Sequence, residues 1–234
     1  MTKTRLVLWN VDLTLVDVAR VTRAAYAEAF ARVAGRPLVQ LPQLAGRSES
    51  EAFFDALALN EADTGPACEQ LLQPFSEELA RAMQARRADM VTHGQVMAGA
   101  AEALKAVQDH DVRQTVLTGT SRPNALLKLT SFGLDGYLDL DIGGYGNESY
   151  PRGTLLHLVK LRAGEKYHTE FGDDSTVYVG DSPRDVDAAG IGGARAVAVA
   201  SGRSTAAELR EAGADAVLAD LTDVAAVLAA VGVG

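Results

Sequence analysis

The chain lacks the material for a disulfide. Its 234 residues include one cysteine, Cys68, so no intramolecular bridge can form, and a reducing cytoplasm suits it. It also lacks a long apolar run at its start. Residues 1–5 lead into only about four apolar residues before Asn10, too short for a secretory signal or a membrane span. Basic residues are in deficit: 22 Lys and Arg against 31 Asp and Glu give a net charge of −9. That field argues against nucleic acid or an anionic membrane as a partner. Any site for an anion must therefore gather its positive charge locally. There is no internal repeat, no low-complexity tract and no long linker. The four histidines show no metal-ligand spacing and read as structural, and nothing in the sequence sets an oligomeric state.

What is present suits a soluble globular protein: 47% hydrophobic and 23% charged residues, at a length ample for a buried core. Five short apolar runs, at 6–9, 112–117, 176–179, 196–200 and 216–218, read as buried parallel strands. Helical stretches are expected between them, at about 98–109, 123–132, 153–162, 184–189, 204–212 and 222–230, with Pro123 and Ser204 at helix starts. Strands alternating with helices predict an α/β fold with a doubly wound parallel sheet. Such sheets bind ligands beyond the carboxyl ends of their strands. From 17 to 92 the alternation stops. Val18, Val21, Ala25, Ala29 and Val33 fall at helical spacing, as do Leu72, Phe75, Leu79 and Met83. Gly35-Arg36-Pro37 and Thr64-Gly65-Pro66 read as breaks between helices. The expected division is an α/β core of 1–16 and 93–234 with an all-helical insert of 17–92 over the ligand-binding edge.

Four segments carry chemistry. The first strand runs into Trp9-Asn10-Val11-Asp12-Leu13-Thr14. Two carboxylates two residues apart at such an end could divide a nucleophilic role and an acid/base role. Asn10 cannot take the first, because an amide oxygen is uncharged and a poor nucleophile. The second segment, Leu117-Thr118-Gly119-Thr120, offers a hydroxyl, a glycine that lets backbone approach closely, and a helix start whose free N–H groups favour an anion. The third is the polar loop 144–152, ending in Arg152, a side chain able to bind two phosphate oxygens at once. Lys160 and Arg162 are its rivals but lie within the following helix. The fourth is Gly180-Asp181-Ser182-Pro183-Arg184-Asp185-Val186-Asp187. Asp181 and Asp185, one helical turn apart, point towards one place, and such oxygens suit magnesium. Asp187 reads as solvent-facing or helix-capping.

This set of motifs resembles the haloacid dehalogenase superfamily, in its phosphoglycolate-phosphatase-like branch with a helical cap, over essentially the whole chain. The resemblance implies a magnesium-dependent phosphatase of small phosphorylated metabolites with a Rossmann-like core and an inserted cap domain. It implies Asn10 at the nucleophile position, Asp12 as acid/base, Thr118 as the phosphoryl-binding hydroxyl and Arg152 as the neutralising cation. Gly119 and Arg47, in Gly46-Arg47-Ser48, would contact substrate. Mg2+ would be held by Asn10, the backbone carbonyl of Asp12, Asp181 and Asp185. Two residues depart from the pattern: Asn10 replaces an aspartate, and Leu13 stands where many relatives have glycine. Asp12 argues against dehalogenation, and the absence of lysine from 17–92 argues against phosphonate hydrolysis. The implied function is a phosphomonoester hydrolase, working through an aspartyl-phosphate, whose present form is inactive or strongly impaired because Asn10 stands at the nucleophile position. The alternatives are a natural non-catalytic protein that binds a phosphorylated ligand or a partner, and a phosphosugar mutase.

Overall fold

The computed structural model describes residues 4–44, 46–61, 65–148 and 151–233. Its centre is a five-stranded parallel sheet, ordered β4-β1-β5-β6-β7. The strands are β1 (Arg5–Trp9), β4 (Val112–Val116), β5 (Thr176–Gly180), β6 (Arg195–Val199) and β7 (Ala216–Leu218). Their continuous apolar character has a direct cause, since both faces are covered and successive side chains bury on opposite sides. Val7 and Trp9 of β1 enter one core with Val177, Val179, Val197 and Val199. Leu6 and Leu8 enter the other with Tyr178, Ala196 and Ala198. Helices α5 (Ala100–Gln108), α6 (Arg122–Ser131) and α10 (Val224–Val231) cover the first face. Helices α7 (Arg152–Tyr167), α8 (Pro183–Gly192) and α9 (Ala206–Glu211) cover the second.

Helices α1 (Ala19–Ala34), α2 (Glu49–Leu59), α3 (Leu72–Ala85) and α4 (Arg87–His93), with a 3-10 turn at Pro66–Leu71, form the insert. It has its own core, in which Tyr26, Phe53 and Phe75 pack ring against ring. Leu127 of α6 joins that core and so links insert to sheet layer.

The fold class is the expected one, with differences at the edges. A two-residue antiparallel pair, β2 (Val16–Asp17) with β3 (Gln95–Val96), closes the neck of the insert where no strand was expected. Two residues carry no periodicity, so only the pairing partner reveals such a strand. The start of α9 is capped by Thr205 in a capping box with Glu208 rather than by Ser204. Thr64 of the second expected helix break lies outside the described residues, as do Ser149 and Tyr150 of the loop before Arg152. Among the described residues no helix is long and apolar enough to cross a membrane.

Candidate active site

The order β4-β1-β5 places three strand ends side by side. Leu117 N–H donates to the Trp9 carbonyl at 3.0 Å and Asn10 N–H to the Val179 carbonyl at 2.8 Å, so the chains stay in register to the sheet edge. Asn10, Thr118 and Asp181 therefore emerge together, and all three are buried. Asn10 Nδ2 donates to Asp181 Oδ1 at 3.0 Å and to the Asp12 carbonyl at 3.1 Å. Thr14 Oγ1 donates to the same Asp181 oxygen at 3.0 Å. Leu13, in the turn between, has a left-handed φ of 62°. Glycine adopts that conformation without strain, a physical reason for the glycine that relatives place there.

Asp12 is gripped by residues the motif reading did not single out. Lys128 Nζ reaches its two carboxylate oxygens at 2.7 and 2.8 Å, and Thr120 Oγ1 donates to it at 2.7 Å. Lys128 is 2% exposed, in the last turn of α6. A sequence signal existed: Asn124 and Lys128, four residues apart, lie within a run of buried Ala125, Leu127 and Leu129. A polar pair at helical spacing on an apolar face marks a face turned towards a polar site.

Arg152 opens α7, lines the cavity described below and forms an ion pair with Asp185. Its other nitrogen, Nη2, lies 3.4 Å from the Arg47 carbonyl. Asp185 also accepts from Tyr178 OH at 2.8 Å, Ser182 Oγ at 2.7 Å and the backbone N–H groups of Asp181 and Ser182. It is the N3 residue of the capping box that starts α8. Its two oxygens are thus engaged entirely by protein donors, whereas Asp187 is exposed. Lys160 and Arg162 pair with Asp173 and Glu148. Burial, then the charge of Asp185, pushes the Asp181 carboxyl up to about 7 against the donors Thr14 and Asn10.

The insert closes over this edge. Glu49 N–H donates to the Gly119 carbonyl at 2.9 Å, Asn124 Nδ2 donates to Glu49 Oε1 at 2.9 Å, and Arg184 pairs with Glu51 at 3.2 Å. A Cβ on Gly119 would overlap the Arg47 carbonyl, so only glycine permits this approach. The Arg47 guanidinium turns to Asp55 in an ion pair. A cavity of about 110 Å³ remains, with Asn10, Asp12, Thr118, Gly119 and Asp181 among its walls. Arg23 and Arg203, both exposed, also line it.

Among the described residues no group of three or more His, Cys, Asp or Glu side chains is arranged to hold a metal. A cation here would rest on the Asp181 carboxylate and carbonyl oxygens. The Asn10 amide nitrogen bridges the two oxygens such a cation would use, Asp181 Oδ1 and the Asp12 carbonyl. Turning the amide over would offer Asn10 Oδ1 in place of the nitrogen. One carboxylate with neutral oxygens, waters and a ligand phosphate is a donor set that magnesium accepts, so these residues fit the ion.

Comparison with known proteins now decides the family. The model for haloacid dehalogenase-like hydrolases matches residues 7–190, and a second, described as HAD-hydrolase-like, matches residues 157–224. The chain belongs to the haloacid dehalogenase-like hydrolase family. No curated protein matches it. Among solved structures it is similar to a predicted phosphatase from Clostridium acetobutylicum, at 20% identity and a TM-score of 0.68 over 93% of this chain and 94% of that one. It is similar to a predicted phosphoglycolate phosphatase from Haemophilus somnus, at 18% and 0.66 over 96% and 98%. It is also similar to CbbY from Rhodobacter sphaeroides, a complex with phosphate, at 20% and 0.65 over 94% and 96%. At these identities the likeness speaks for the fold.

Proposed function

We propose that this chain carries a phosphomonoester site for small phosphorylated metabolites in which Asn10 has silenced the covalent step. The observation behind this reading is the convergence of Asn10, Asp12, Thr118 and Asp181 at adjoining strand ends, beneath an insert acting as a cap. The phosphate complex of the CbbY neighbour agrees with a phosphorylated ligand.

In this reading the Thr118 hydroxyl and the Gly119 N–H hold phosphoryl oxygens, and Arg152 supplies positive charge from across the cavity. Asp181, the Asp12 carbonyl and Asn10 Oδ1 would hold Mg2+, which neutralises phosphoryl charge when bound. Asp185 acts at one remove, fixing Arg152. With aspartate at position 10, its carboxylate oxygen attacks phosphorus while Asp12 gives a proton to the departing alkoxide. Asp12 then takes a proton from water, which attacks the aspartyl-phosphate and releases phosphate and the carboxylate. Asn10 offers neither the charge nor the nucleophile, and losing a covalent nucleophile can cost about 10⁶ in rate. A bound phosphoester would stay intact.

A second reading, a natural phospho-ligand-binding protein, draws support from Lys128. Its ammonium and the Thr120 hydroxyl occupy both oxygens of Asp12, the group that must exchange a proton with substrate. A mutase would share this core and is recognised by retention of the phosphoryl group. The deciding experiment is phosphate release from an aryl phosphate with magnesium, for this chain and its Asn10→Asp variant. Turnover by the variant alone, faster by at least about 10³, supports the silenced hydrolase. Failure of both turns the assignment to the binding protein. Turnover by the unaltered chain overturns the role given to Asn10.

A further inference from the structure

The wall of the cavity opposite the strand ends comes from α1 and α2, and it is chemically unfinished. Thr22 Oγ1, Tyr26 OH and Glu49 Oε2 are buried, and all three have no hydrogen-bond partner. All three residues line the cavity. Buried polar atoms are nearly always paired, so three orphans in one wall call for a cause. Thr22 and Tyr26 lie one turn apart on α1 and share a face. Tyr26 is 1% exposed, with its ring against Phe75, so phenylalanine would fill the same space without an orphan hydroxyl. Glu49 is held by Asn124 on its other oxygen and by Gly119 on its backbone, and burial raises its carboxyl's pKa against Asn124, Lys128 and Ser121 beside it. Burial, and after it the charge of Glu49, raises the pKa of the Tyr26 phenol.

Resting on the phosphomonoester reading above, we propose that Thr22, Tyr26 and Glu49 form the subsite for the leaving group, and that this group is an uncharged, hydroxyl-bearing carbon skeleton. Two hydroxyls and a carboxylate match ligand hydroxyls, which donate and accept at once. An anionic end, whether carboxylate or second phosphate, would face Glu49. Of the insert cations that line the cavity, Arg47 is engaged by Asp55 and Arg23 is exposed to solvent. The cavity holds on the order of ten water-sized volumes, which limits the ligand to a small molecule. The apolar part of the wall, Leu41, Ala52 and Leu79, suits the carbon chain between hydroxyls.

The unaltered chain, which turns substrate over poorly on this reading, is the protein to titrate. Calorimetry with magnesium would compare glycerol 1-phosphate, ethyl phosphate, phosphoglycolate and 2-aminoethyl phosphate. Glycerol 1-phosphate should bind about ten-fold more tightly than ethyl phosphate, with phosphoglycolate the weakest. Tyr26→Phe and Glu49→Gln should each shrink the glycerol-to-ethyl ratio at least about three-fold. Thr22→Val is the further variant if either fails to fold. Equal binding of glycerol and ethyl phosphates, or a ratio unmoved by the substitutions, would mean that a buried water alone satisfies these atoms and would overturn the subsite. Preference for the aminoethyl or carboxylate probe would overturn the hydroxyl class. If no probe binds at all, the phosphomonoester reading falls first and this inference with it.

Discussion

The edge of the sheet and the insert wall above it treat buried polar atoms in opposite ways. At the edge, Asp185 accepts from Arg152, Tyr178, Ser182 and two backbone N–H groups, and Asp181 from Asn10 and Thr14. Across the cavity, Thr22, Tyr26 and Glu49 each leave an atom unmatched. The first region is complete as it stands, while the second is complete only with something bound. Preorganisation of this kind puts cost where the ligand can relieve it.

That contrast can be broken by substitution. The largest effect is expected at the edge. Asp185→Asn leaves the Arg152 guanidinium buried without a counter-charge and should cost about 3–5 kcal/mol in denaturant unfolding. A loss below about 1 kcal/mol would show that water reaches Arg152 and that the edge is not self-contained. Next in size is a pH effect. Asp181 holds its proton up to about 7 in the folded chain against an ordinary value of 3.8, so folding takes up a proton between those values. This contribution to stability is full below the lower value and is lost as pH rises through the upper one. In chelator, the Tm should fall between about pH 4 and pH 7, and magnesium should recover part of the loss by binding the ionised form. A Tm that is flat or rises over that interval, once other groups are matched in an Asp181→Asn control, would refute the shift. The smallest effect has the opposite sign. Tyr26→Phe removes an unpaired buried hydroxyl and should leave stability unchanged or raise it by up to about 1 kcal/mol. A clear loss of stability would show that the hydroxyl is already satisfied and would erase the contrast between the regions.

The parts legible in the sequence share a property. Buried parallel strands need unbroken apolar runs, so the five strands of the sheet could be read locally, with only their ends displaced by a residue or so. The position of Asn10, Thr118 and Asp181 at strand ends followed from the same runs. For Lys128 the sequence offered only its spacing from Asn124 on an apolar helix face; that it grips Asp12 was decided when the helix docked there. Arg152 could be placed at the start of its helix, but its pairing with Asp185 depends on how α7 and α8 pack. The insert offered only helical periodicity, which says that Tyr26 is inward and not that its hydroxyl lacks a partner.

The sequence by itself determined the α/β alternation, the helical insert and the amide at position 10, because each is written in consecutive residues. The tertiary structure alone decided which cation grips Asp12, which grips Asp185, and which polar atoms of the insert remain unmatched. Those are contacts between segments from 33 to 116 residues apart, and their geometry exists only once the layers have packed.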